Sequence, residues 1–482
     1  MPPFADEIAR AQAAQIAWAC LPLRERLRPV REFRHLLVER TKELTDAITS
    51  DIGRPATEVI ATDFLPTASA CKFLQQSAEH LLRPRRVTSR PLWLLGCRDQ
   101  VHHRPHGIVG IIGTWNYPLF LNAVPILQAL TAGNAVLWKP SELTPRTAKI
   151  LTSFFHDAGF PKELLNTLPT TREAGPQLAE ADIDLLHFTG SEDVGRKLAA
   201  RLGERLIPSV LELSGCDALF VMPDANVRLA ARAAWYGATL NAGQTCMATR
   251  RVFVHRSVYA QFVEELRPLI AATQPVSLVL STQVERMNAM IAEATMAGAK
   301  ILRSEAPHQS PGRVAATAII DATPELTVCQ ELSFAPIVAV IEFDDLDAAV
   351  AQYDRCRFGL AASIFSIDRA AAAELASRLR VGCVVINDVI APTAHPETPF
   401  GGRGASGWGV SQGAEGLLQM TVPQVVTYRR GSYRPHVDAA LSNDPATADV
   451  MGGMLRFTHG RTLGNRWRGF WQMFRGMRRF GK

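Results

Sequence analysis

A short stretch of small and polar residues, 241–248 (NAGQTCMA), contains the side chain best suited to nucleophilic catalysis, the thiol of Cys246. A thiol is a strong nucleophile only as the thiolate, so it needs a nearby base or a local field that favours deprotonation. Ala242 and Gly243 would let a carbonyl group approach the sulfur closely. A cysteine taken alone is more often inert packing. Cys246 is therefore a candidate nucleophile, and its assignment depends on what the fold brings near it.

Three further polar side chains stand at or near the carboxyl ends of predicted buried strands: Asn116, Lys139 and Glu212. Each has a simple structural explanation when taken alone. A loop amide can cap the backbone, a lysine can be solvated, and a carboxylate can form an ion pair. Open parallel sheets, however, place their ligands at the carboxyl ends of strands. The loops that carry these residues and Cys246 are therefore where a site is expected.

Alternating strands and helices must position these loops. Apolar residues at helical spacing predict helices within residues 4–50 and over about 57–82. Buried strands are predicted at 108–112 and 135–138, each followed by a helix, and the alternation continues to a strand at 381–386. This order is typical of a parallel sheet with crossover helices. The sequence therefore predicts an α/β fold.

The composition indicates a soluble globular protein with more than one domain. The chain has 482 residues, of which 47% are hydrophobic and 20% are charged, and this length suits two or three domains. The eight cysteines form no CxxC pair and no metal-ligand spacing with histidine, so neither structural zinc nor a disulfide framework is expected. No signal peptide and no apolar run of bilayer-spanning length is visible. These features predict a cytoplasmic protein without a metal site.

The formal charge of +6 is concentrated near the C-terminus. Residues 461–482 contain seven basic side chains and no acidic one, while the remainder of the chain is close to neutral. A general polyanion-binding surface is therefore not expected, and nucleic acid is not a predicted partner. On a helix, the apolar residues of this segment share one face: Leu463, Trp467, Phe470, Trp471, Phe474 and Met477.

This basic amphipathic segment has two open interpretations. The basic residues largely beside its apolar face are Arg468, Arg475, Arg479 and Lys482. The segment could lie on an anionic membrane surface, as a peripheral contact at the inner face of a membrane, or it could pack on its own subunit or a neighbour. Gly469 and Gly476 are expected to weaken the helix. Membrane docking would favour a lipophilic substrate.

Several motifs, taken together, resemble the aldehyde dehydrogenase superfamily, most closely its fatty- and aromatic-aldehyde branch. They occur in family order within roughly residues 5–430 of the chain. The motifs are 105–118 (PHGIVGIIGTWNYP), 139–142 (KPSE), 188–191 (FTGS), 211–215 (LELSG), 243–246 (GQTC), 399–402 (PFGG) and 406–409 (SGWG). Any one of them would be weak, but their joint occurrence in this order makes the resemblance close.

The resemblance implies oxidation of an aldehyde to the carboxylic acid, and the amphipathic C-terminal segment favours a lipophilic aldehyde. Cys246 would add to the carbonyl carbon and form a thiohemiacetal, whose oxygen would be stabilised by the Asn116 amide and the backbone N–H of Cys246. Hydride transfer to a nicotinamide would leave a thioester. In the family's scheme, Glu212 would then activate the water that hydrolyses this thioester.

The resemblance also implies a cofactor site, with NAD favoured and NADP possible. Lys139 and Glu142 would contact the adenosine ribose, and a carboxylate there would repel a 2′-phosphate. Gly190, Ser191 and Gly195 resemble the helix start beside the pyrophosphate and adenine. The full set of predicted cofactor residues is Trp115, Lys139, Glu142, Gly190, Ser191, Gly195, Glu331 and Phe334.

The implied architecture has two Rossmann-like parallel-sheet domains and a small β oligomerisation arm. Residues 1–84 and 105–214 would form the NAD-binding domain, and residues 215–409 the catalytic domain. The arm would comprise 85–104 and 410–430, and it implies a homodimer or homotetramer. Residues 431–482 would be a C-terminal extension that contains the basic amphipathic segment.

The sequence departs from the family pattern at two places. Leu332 stands where the family has an acidic residue near the nicotinamide ribose, and Glu331 could substitute if the loop shifts by one residue. Ser214 and Cys216 replace the usual glycine and lysine that follow Glu212, and Cys216 is interpreted as packing.

Two other functions stay open at this point. An acylating dehydrogenase would release the thioester to coenzyme A, although Glu212 favours hydrolysis by water. A non-catalytic, membrane-associated scaffold that keeps the fold is the second alternative, and Leu332 is the feature that keeps it open.

Overall fold

The computed structural model describes residues 3–304, 313–431, 434, 437 and 445–479. The chain forms two compact units. The first comprises residues 1–82 and 104–422, and the second comprises residues 83–103 and 423–482.

Twenty strands lie in the described residues. In chain order they are β1 (Arg85–Arg86), β2 (Cys97–Pro105), β3 (Ile108–Ile112), β4 (Ala135–Lys139), β5 (Leu165–Thr167), β6 (Leu185–Gly190), β7 (Ser209–Leu213), β8 (Asp217–Val221), β9 (Thr249–His255), β10 (Val276–Ser277), β11 (Lys300–Arg303), β12 (Arg313–Val314), β13 (Thr317–Ile320), β14 (Ile337–Phe343), β15 (Phe358–Gly359), β16 (Ala361–Phe365), β17 (Cys383–Ile386), β18 (Arg403–Gly404), β19 (Gly407–Trp408) and β20 (Thr421–Arg429).

In the described part of the first unit there are sixteen α-helices. They are α1 (Ala5–Cys20), α2 (Leu23–Glu39), α3 (Thr41–Ile52), α4 (Ala56–Val59), α5 (Leu65–Leu82), α6 (Phe120–Ala132), α7 (Pro145–Asp157), α8 (Ala174–Glu180), α9 (Glu192–Glu204), α10 (Val227–Thr239), α11 (Arg256–Ala272), α12 (Ser281–Met296), α13 (Thr327–Gln330), α14 (Leu346–Tyr353), α15 (Arg369–Arg378) and α16 (Gly413–Gln419). A π-helical turn, Ile60–Phe64, joins α4 to α5.

Two sheets organise the first unit. The six-stranded sheet has the order β19-β7-β6-β3-β4-β5, and the seven-stranded sheet has the order β11-β13-β14-β9-β8-β16-β17. Their pairings are parallel except for the edge strands β19 and β11, which are antiparallel to their neighbours. β3 and β4 are buried at every position, as expected for parallel strands covered by helices on both faces. The predicted α/β fold with two Rossmann-like parallel sheets is confirmed.

The chain crosses from the first sheet to the second at residues 214–216, between β7 and β8. Asn116, Lys139 and Gly190 follow or end strands of the first sheet, and Glu212 lies within its strand β7. Cys246 comes from a different place, the connection between α10 and β9 of the second sheet. The candidate residues therefore come from elements of both sheets.

The second unit contains a three-stranded sheet of order β1-β2-β20 and two helices, α17 (Pro445–His459) and α18 (Leu463–Arg479). This sheet corresponds to part of the predicted arm, residues 85–104 and 410–430. The rest of the arm's C-terminal portion includes α16, which packs on α5 and α6 of the first unit. Of the predicted extension 431–482, residues 432–433, 435–436, 438–444 and 480–482, which include Lys482, lie outside the described residues. Among the helices that are described, none is long and apolar enough to cross a membrane.

Candidate active site

An unusual turn presents Cys246. After α10, the three residues Asn241, Ala242 and Gly243 all have left-handed backbone conformations, with φ of 53°, 55° and 72°. Ala242 pays a conformational penalty there, and a Cβ at Gly243 would collide with the carbonyl of Ala335. The packing around this turn thus fixes the path of the backbone three residues before the thiol.

The buried side chain of Arg250 stabilises the same turn through hydrogen bonds to backbone carbonyls. Its guanidinium donates to the carbonyl of Gly243 and, at 2.6 Å, to the carbonyl of Ala335. The carbonyl of Cys246 itself accepts a hydrogen bond of 2.9 Å from the N–H of Gly215, in the crossover between the sheets. The nucleophile loop is therefore tied to both sheets.

The Cys246 thiol lines a cavity of about 360 Å³. Burial, together with the smaller effects of the negative charges of Asp217 and Glu212, raises the pKa of the Cys246 thiol to about 12. The thiol is consequently protonated at neutral pH in this state, so a base or an added positive field is required before it can act as a nucleophile.

Asn116 is 2% exposed, and its amide has a defined orientation. The Thr114 hydroxyl donates to Asn116 Oδ1 at 2.9 Å, and Asn116 Nδ2 donates to the carbonyl of Gln244 at 3.0 Å. An amide nitrogen has two N–H groups. One of them is thus engaged by the backbone carbonyl two residues before Cys246, and the role of Asn116 as a donor to an oxygen bound at the thiol stays a prediction.

Glu212 is buried in β7 and has an incomplete set of hydrogen bonds. The Thr189 hydroxyl donates to Glu212 Oε2 at 3.4 Å, whereas Oε1 has no hydrogen-bond partner among the described residues. Burial raises the pKa of Glu212 to about 7, against the opposing effect of hydrogen bonds from Ser411 and Thr189. A buried carboxylate oxygen without a partner is a place where water or a ligand group would bind. Near neutral pH such a carboxylate can accept a proton.

At the end of β4, Lys139 and Glu142 form an ion pair. Lys139 Nζ lies 3.1 Å from Glu142 Oε2, and Arg172 Nε lies 3.0 Å from Glu142 Oε1. Burial opposes ionisation of Glu142, but hydrogen bonds from its own backbone and from the two cations hold its pKa below the usual value. The Glu142 carboxylate is therefore ionised at neutral pH, and it has a cation on each side.

The turn from β6 into α9 contains the predicted pyrophosphate residues. β6 ends at Gly190, and Ser191 precedes the first residue of α9 without forming a side-chain cap. A Cβ at Gly195 would come within 2.6 Å of the Leu213 side chain, so this glycine allows α9 to approach β7 closely. The uncapped N–H groups at the start of α9 could receive a phosphate, because helix N-termini attract anions.

Trp115 and Phe334 lie edge to face, with ring centroids 5.9 Å apart. In the same loop, the Glu331 carboxylate receives two hydrogen bonds from Arg357, at 2.6 and 2.8 Å, and lies 3.4 Å from Arg286. The structure therefore gives Glu331 two cationic partners on the protein itself, and its predicted contact with cofactor stays a prediction.

Leu332 has a different environment from its neighbour Glu331. It is half-buried against an apolar cluster that includes Cys216, Cys356 and Phe358. Cys216 is fully buried in that cluster, in agreement with its interpretation as packing. The departures from the motif pattern at Leu332 and Cys216 thus contact the same apolar cluster.

A model of the aldehyde dehydrogenase family matches residues 4–426 of the chain. The chain belongs to the aldehyde dehydrogenase family. This match and the relatives described next confirm the predicted family and the NAD(P)-dependent oxidation of an aldehyde. The roles of individual residues stay predictions.

Relatives and solved structures agree with this assignment. The chain is 32% identical to a 4,4'-diapolycopene aldehyde oxidase of Methylomonas sp over 87% of the chain and 80% of the relative. It is 34% identical to the benzaldehyde dehydrogenase [NAD(+)] of Pseudomonas putida, over 83% of each. The crystal structure of an aldehyde dehydrogenase from Mycobacterium tuberculosis complexed with NAD+ matches with a TM-score of 0.83 and 29% identity, over 90% of this chain and 92% of that one.

In this aldehyde dehydrogenase, sequence reasoning missed the residues that hold Asn116 in place. The Asn116 carbonyl accepts hydrogen bonds from Arg54 at 3.1 Å and from Asn241 Nδ2 at 3.0 Å. Arg54 is buried, pairs with Asp63 at 2.6 Å, and lies over the ring of Tyr117 at 4.6 Å. Tyr117 lies within the 105–118 motif and Asn241 within the 241–248 stretch that contains Cys246. No local sequence pattern predicts the Arg54–Asp63 pair.

Proposed function

We propose that this aldehyde dehydrogenase oxidises uncharged, apolar aldehydes, with Cys246 as nucleophile, Asn116 as oxyanion donor and Glu212 as base. The observation that carries the proposal is the cavity on which the Cys246 thiol opens. Among the residues that the structure describes, its lining contains no lysine, arginine, histidine, aspartate or glutamate. Its apolar walls include Leu65, Pro66, Phe120, Leu121, Leu240, Met247, Ile390 and Phe400.

The lining distinguishes among the substrates that relatives are named for. Several relatives from Mycobacterium, 30% identical, carry the name succinate-semialdehyde dehydrogenase, and that substrate has a carboxylate. Burying a carboxylate in a cavity without a cation would be strongly unfavourable. A neutral apolar chain or ring would instead gain free energy from burial. The cavity therefore supports an aldehyde closer in character to those of the benzaldehyde and diapolycopene relatives.

The first chemical step is addition of the Cys246 sulfur to the carbonyl carbon, with loss of the thiol proton to a base. The free N–H of Asn116 and the backbone N–H of Cys246 are the donors available to the carbonyl oxygen as it becomes negative. A bound oxidised dinucleotide would supply the acceptor for the hydride from this carbon and a positive charge that favours the thiolate. The carbon then carries a thioester to Cys246.

The second step is hydrolysis of that thioester. A water held at the unpaired Oε1 of Glu212 would lose its proton to the carboxylate as its oxygen attacks the carbonyl carbon. The carbon–sulfur bond then breaks, the carboxylic acid leaves, and Cys246 returns to its starting state. Balanced over both steps, aldehyde, NAD and water give acid, NADH and a proton.

For the cofactor, we infer that Lys139 and Glu142 hold the adenosine ribose and that NAD is preferred. The ionised carboxylate of Glu142 supports this choice, because it would accept hydrogen bonds from ribose hydroxyls and repel a 2′-phosphate. Arg172, 3.0 Å from Glu142, tempers the preference, because an arginine there could bind such a phosphate. The uncapped start of α9, with Gly190, Ser191 and Gly195, fits the pyrophosphate.

We further infer a homodimer or homotetramer that assembles through the arm. β20 is an edge strand of the three-stranded sheet, and Val425 and Tyr428 on it are exposed. Edge strands with exposed apolar side chains are suited to pairing with another chain. Light scattering during size-exclusion chromatography measures the expected mass of two or four chains.

Reduced-cofactor absorbance with a panel of aldehydes tests the proposed reaction. We expect turnover with benzaldehyde and with aliphatic aldehydes, rising with chain length, and little with succinic semialdehyde. Cys246→Ala should abolish turnover, whereas Cys20→Ala, at an exposed cysteine, should not change it. Equal rates with the charged and the neutral aldehydes would contradict the assigned substrate class, and a rate that depends on added coenzyme A would favour the acylating alternative.

A further inference from the structure

The C-terminal hairpin, formed by α17 and α18 (Pro445–Arg479), is packed through glycines. A Cβ at Gly469 would collide with the backbone of Phe457, and one at Gly476 would come within 2.6 Å of the Val450 side chain. Gly469 and Gly476 are the buried residues of α18. These glycines, expected to weaken the helix, thus allow its backbone to lie directly against α17.

Because α18 packs through its glycines, the two tryptophans of its aromatic face stay exposed, while Phe470 and Phe474 are half-buried. Trp467 is 62% exposed and Trp471 is 43% exposed. The two indoles and the rings of Phe470 and Phe474 form consecutive contacts with centroids 5.6 to 6.5 Å apart. Phe457 of α17 extends the row, 5.8 Å from Phe470. A contiguous exposed apolar surface of this kind marks an interaction site.

The charge of the hairpin is strongly one-sided. α18 contains five arginines and no acidic residue: Arg466, Arg468, Arg475, Arg478 and Arg479. Asp449 is the one acidic residue within 445–479, and it lies 3.4 Å from Arg479. The guanidinium of Arg478 lies over the Phe474 ring at 4.6 Å. The aromatic row is therefore bordered by cations that have almost no anions of their own.

We propose that the C-terminal hairpin docks flat on an anionic membrane surface. Its tryptophans and phenylalanines would enter the boundary between head groups and acyl chains, where amphipathic aromatic rings are stable. Its arginines would contact lipid phosphates, each contributing attraction near an anionic surface. The hairpin lies on the membrane and does not cross it, because no described helix is long and apolar enough to span a bilayer.

Charge decides between a membrane and a second copy of the chain as the occupant of the aromatic face. Two copies meeting face to face would bring two sets of five arginines together, and like charges across an interface repel. An anionic lipid surface would bury the aromatic rings and bind the arginines at the same time. The inference does not rest on the proposed reaction, although a membrane location would suit an apolar aldehyde.

Flotation of the full-length protein with lipid vesicles tests the docking. We expect the protein to float with vesicles that contain about one third phosphatidylglycerol in phosphatidylcholine, and to stay in the bottom fraction with pure phosphatidylcholine or in high salt. Failure to float with the anionic vesicles would overturn the inference.

Two double variants and a charge-matched control assign the binding to the hairpin. Trp467→Ser with Trp471→Ser, and separately Arg468→Glu with Arg475→Glu, should each lower the bound fraction about tenfold or more. Arg267→Glu with Arg369→Glu changes the net charge equally on the first unit and should leave flotation unchanged. Far-UV circular dichroism checks that each variant is folded.

Two outcomes of this series would contradict membrane docking by the hairpin. One is flotation of both hairpin variants at the wild-type level. The other is a change of the tryptophan variant from oligomer to monomer without any effect on flotation, which would identify a second copy of the chain as the occupant of the aromatic face.

Discussion

Two regions of the first unit differ in how deeply their polar groups are buried. Around Cys246, the polar groups are buried and joined by hydrogen bonds between segments that are distant in sequence. Around the proposed cofactor site, Glu142 and Glu331 are only partly buried and are held by exposed arginines, Arg172 and Arg357.

The difference matters because exposed ion pairs are weak and buried polar groups are costly to leave unpaired. A solvent-exposed ion pair contributes about 0 to 1 kcal/mol. Removing one partner of a buried pair costs about 3 to 5 kcal/mol. We call Glu142 and Glu331, with Arg172 and Arg357, the cofactor rim. Substitutions near the thiol should therefore have effects orders of magnitude larger than substitutions at the cofactor rim, and each prediction below tests that contrast.

The largest effect is expected from Glu212→Gln. We expect turnover to fall by about 10² to 10⁴-fold, because the water that attacks the thioester loses its base. The first oxidation of one enzyme equivalent should persist as a burst of NADH in stopped-flow absorbance, which separates thioester formation from hydrolysis. Glu331→Gln is the matched control at the rim. Loss of the burst together with turnover would assign Glu212 to the first step as well.

The pH dependence follows from the same carboxyl. Burial raises the pKa of Glu212 to about 7 from 4.5, so the wild-type hydrolysis rate should rise with pH through about 7, as the base becomes ionised. The free energy of unfolding changes in the opposite direction to the rate. It falls as pH rises, because the folded state keeps the Glu212 proton to a higher pH than the unfolded state does. This carboxyl's contribution to stability should be lost as pH rises from about 4.5 to about 7, and Glu212→Gln should remove that part of the thermal unfolding profile.

The next effect, on stability, is expected from Arg54→Met. This change leaves the buried carboxylate of Asp63 without its cation and removes a donor to the Asn116 carbonyl. We expect a loss of about 3 to 5 kcal/mol, measured as a lower thermal unfolding midpoint. Arg24→Met, which breaks the exposed 3.3 Å pair with Glu79, should cost less than about 1 kcal/mol. Equal shifts for the two variants would refute the contrast between buried and exposed pairs.

The shared sheet edge of Asn116 and Lys139 could be expected from sequence, because it follows from sheet geometry. Asn116 and Lys139 come directly after or at the end of adjacent parallel strands, and the carboxyl ends of such strands share one edge. The turn before Cys246 was marked by Gly243, whose positive φ and contact with Ala335 explain the small residue.

Contacts between distant segments could not be predicted where neither segment's sequence indicates that the two meet. Arg54 reaches Asn116 from the end of α3, 62 positions earlier in the chain, and nothing local distinguishes it from a surface arginine. Glu331 is a similar case, since its pairing with Arg357 depends on where two loops meet. Gly469 and Gly476 appeared unfavourable to a helix until their partner, α17, was known.

At the rim, a moderate effect on cofactor choice is expected from Glu142→Ser. Without this carboxylate, Arg172 has no anionic partner at that position and can bind a 2′-phosphate. We expect the ratio of kcat/KM for NADP to that for NAD to rise about tenfold. Adding Arg172→Ala to Glu142→Ser should reverse most of that rise. An unchanged ratio in the single variant would place the adenosine ribose elsewhere.

The smallest effect is expected from Glu331→Gln, which tests how the chain manages without the acidic residue that Leu332 replaces. The Glu331 carboxylate already receives two hydrogen bonds from Arg357, so its loss should remove an exposed ion pair and change KM for NAD by no more than about twofold. A tenfold rise in KM, with kcat/KM falling equally, would show that the carboxylate leaves Arg357 and contacts the ribose once cofactor binds. In that case the rim would share the tight coupling of the thiol loop, and Glu331 would have the role that the motif pattern gives to position 332.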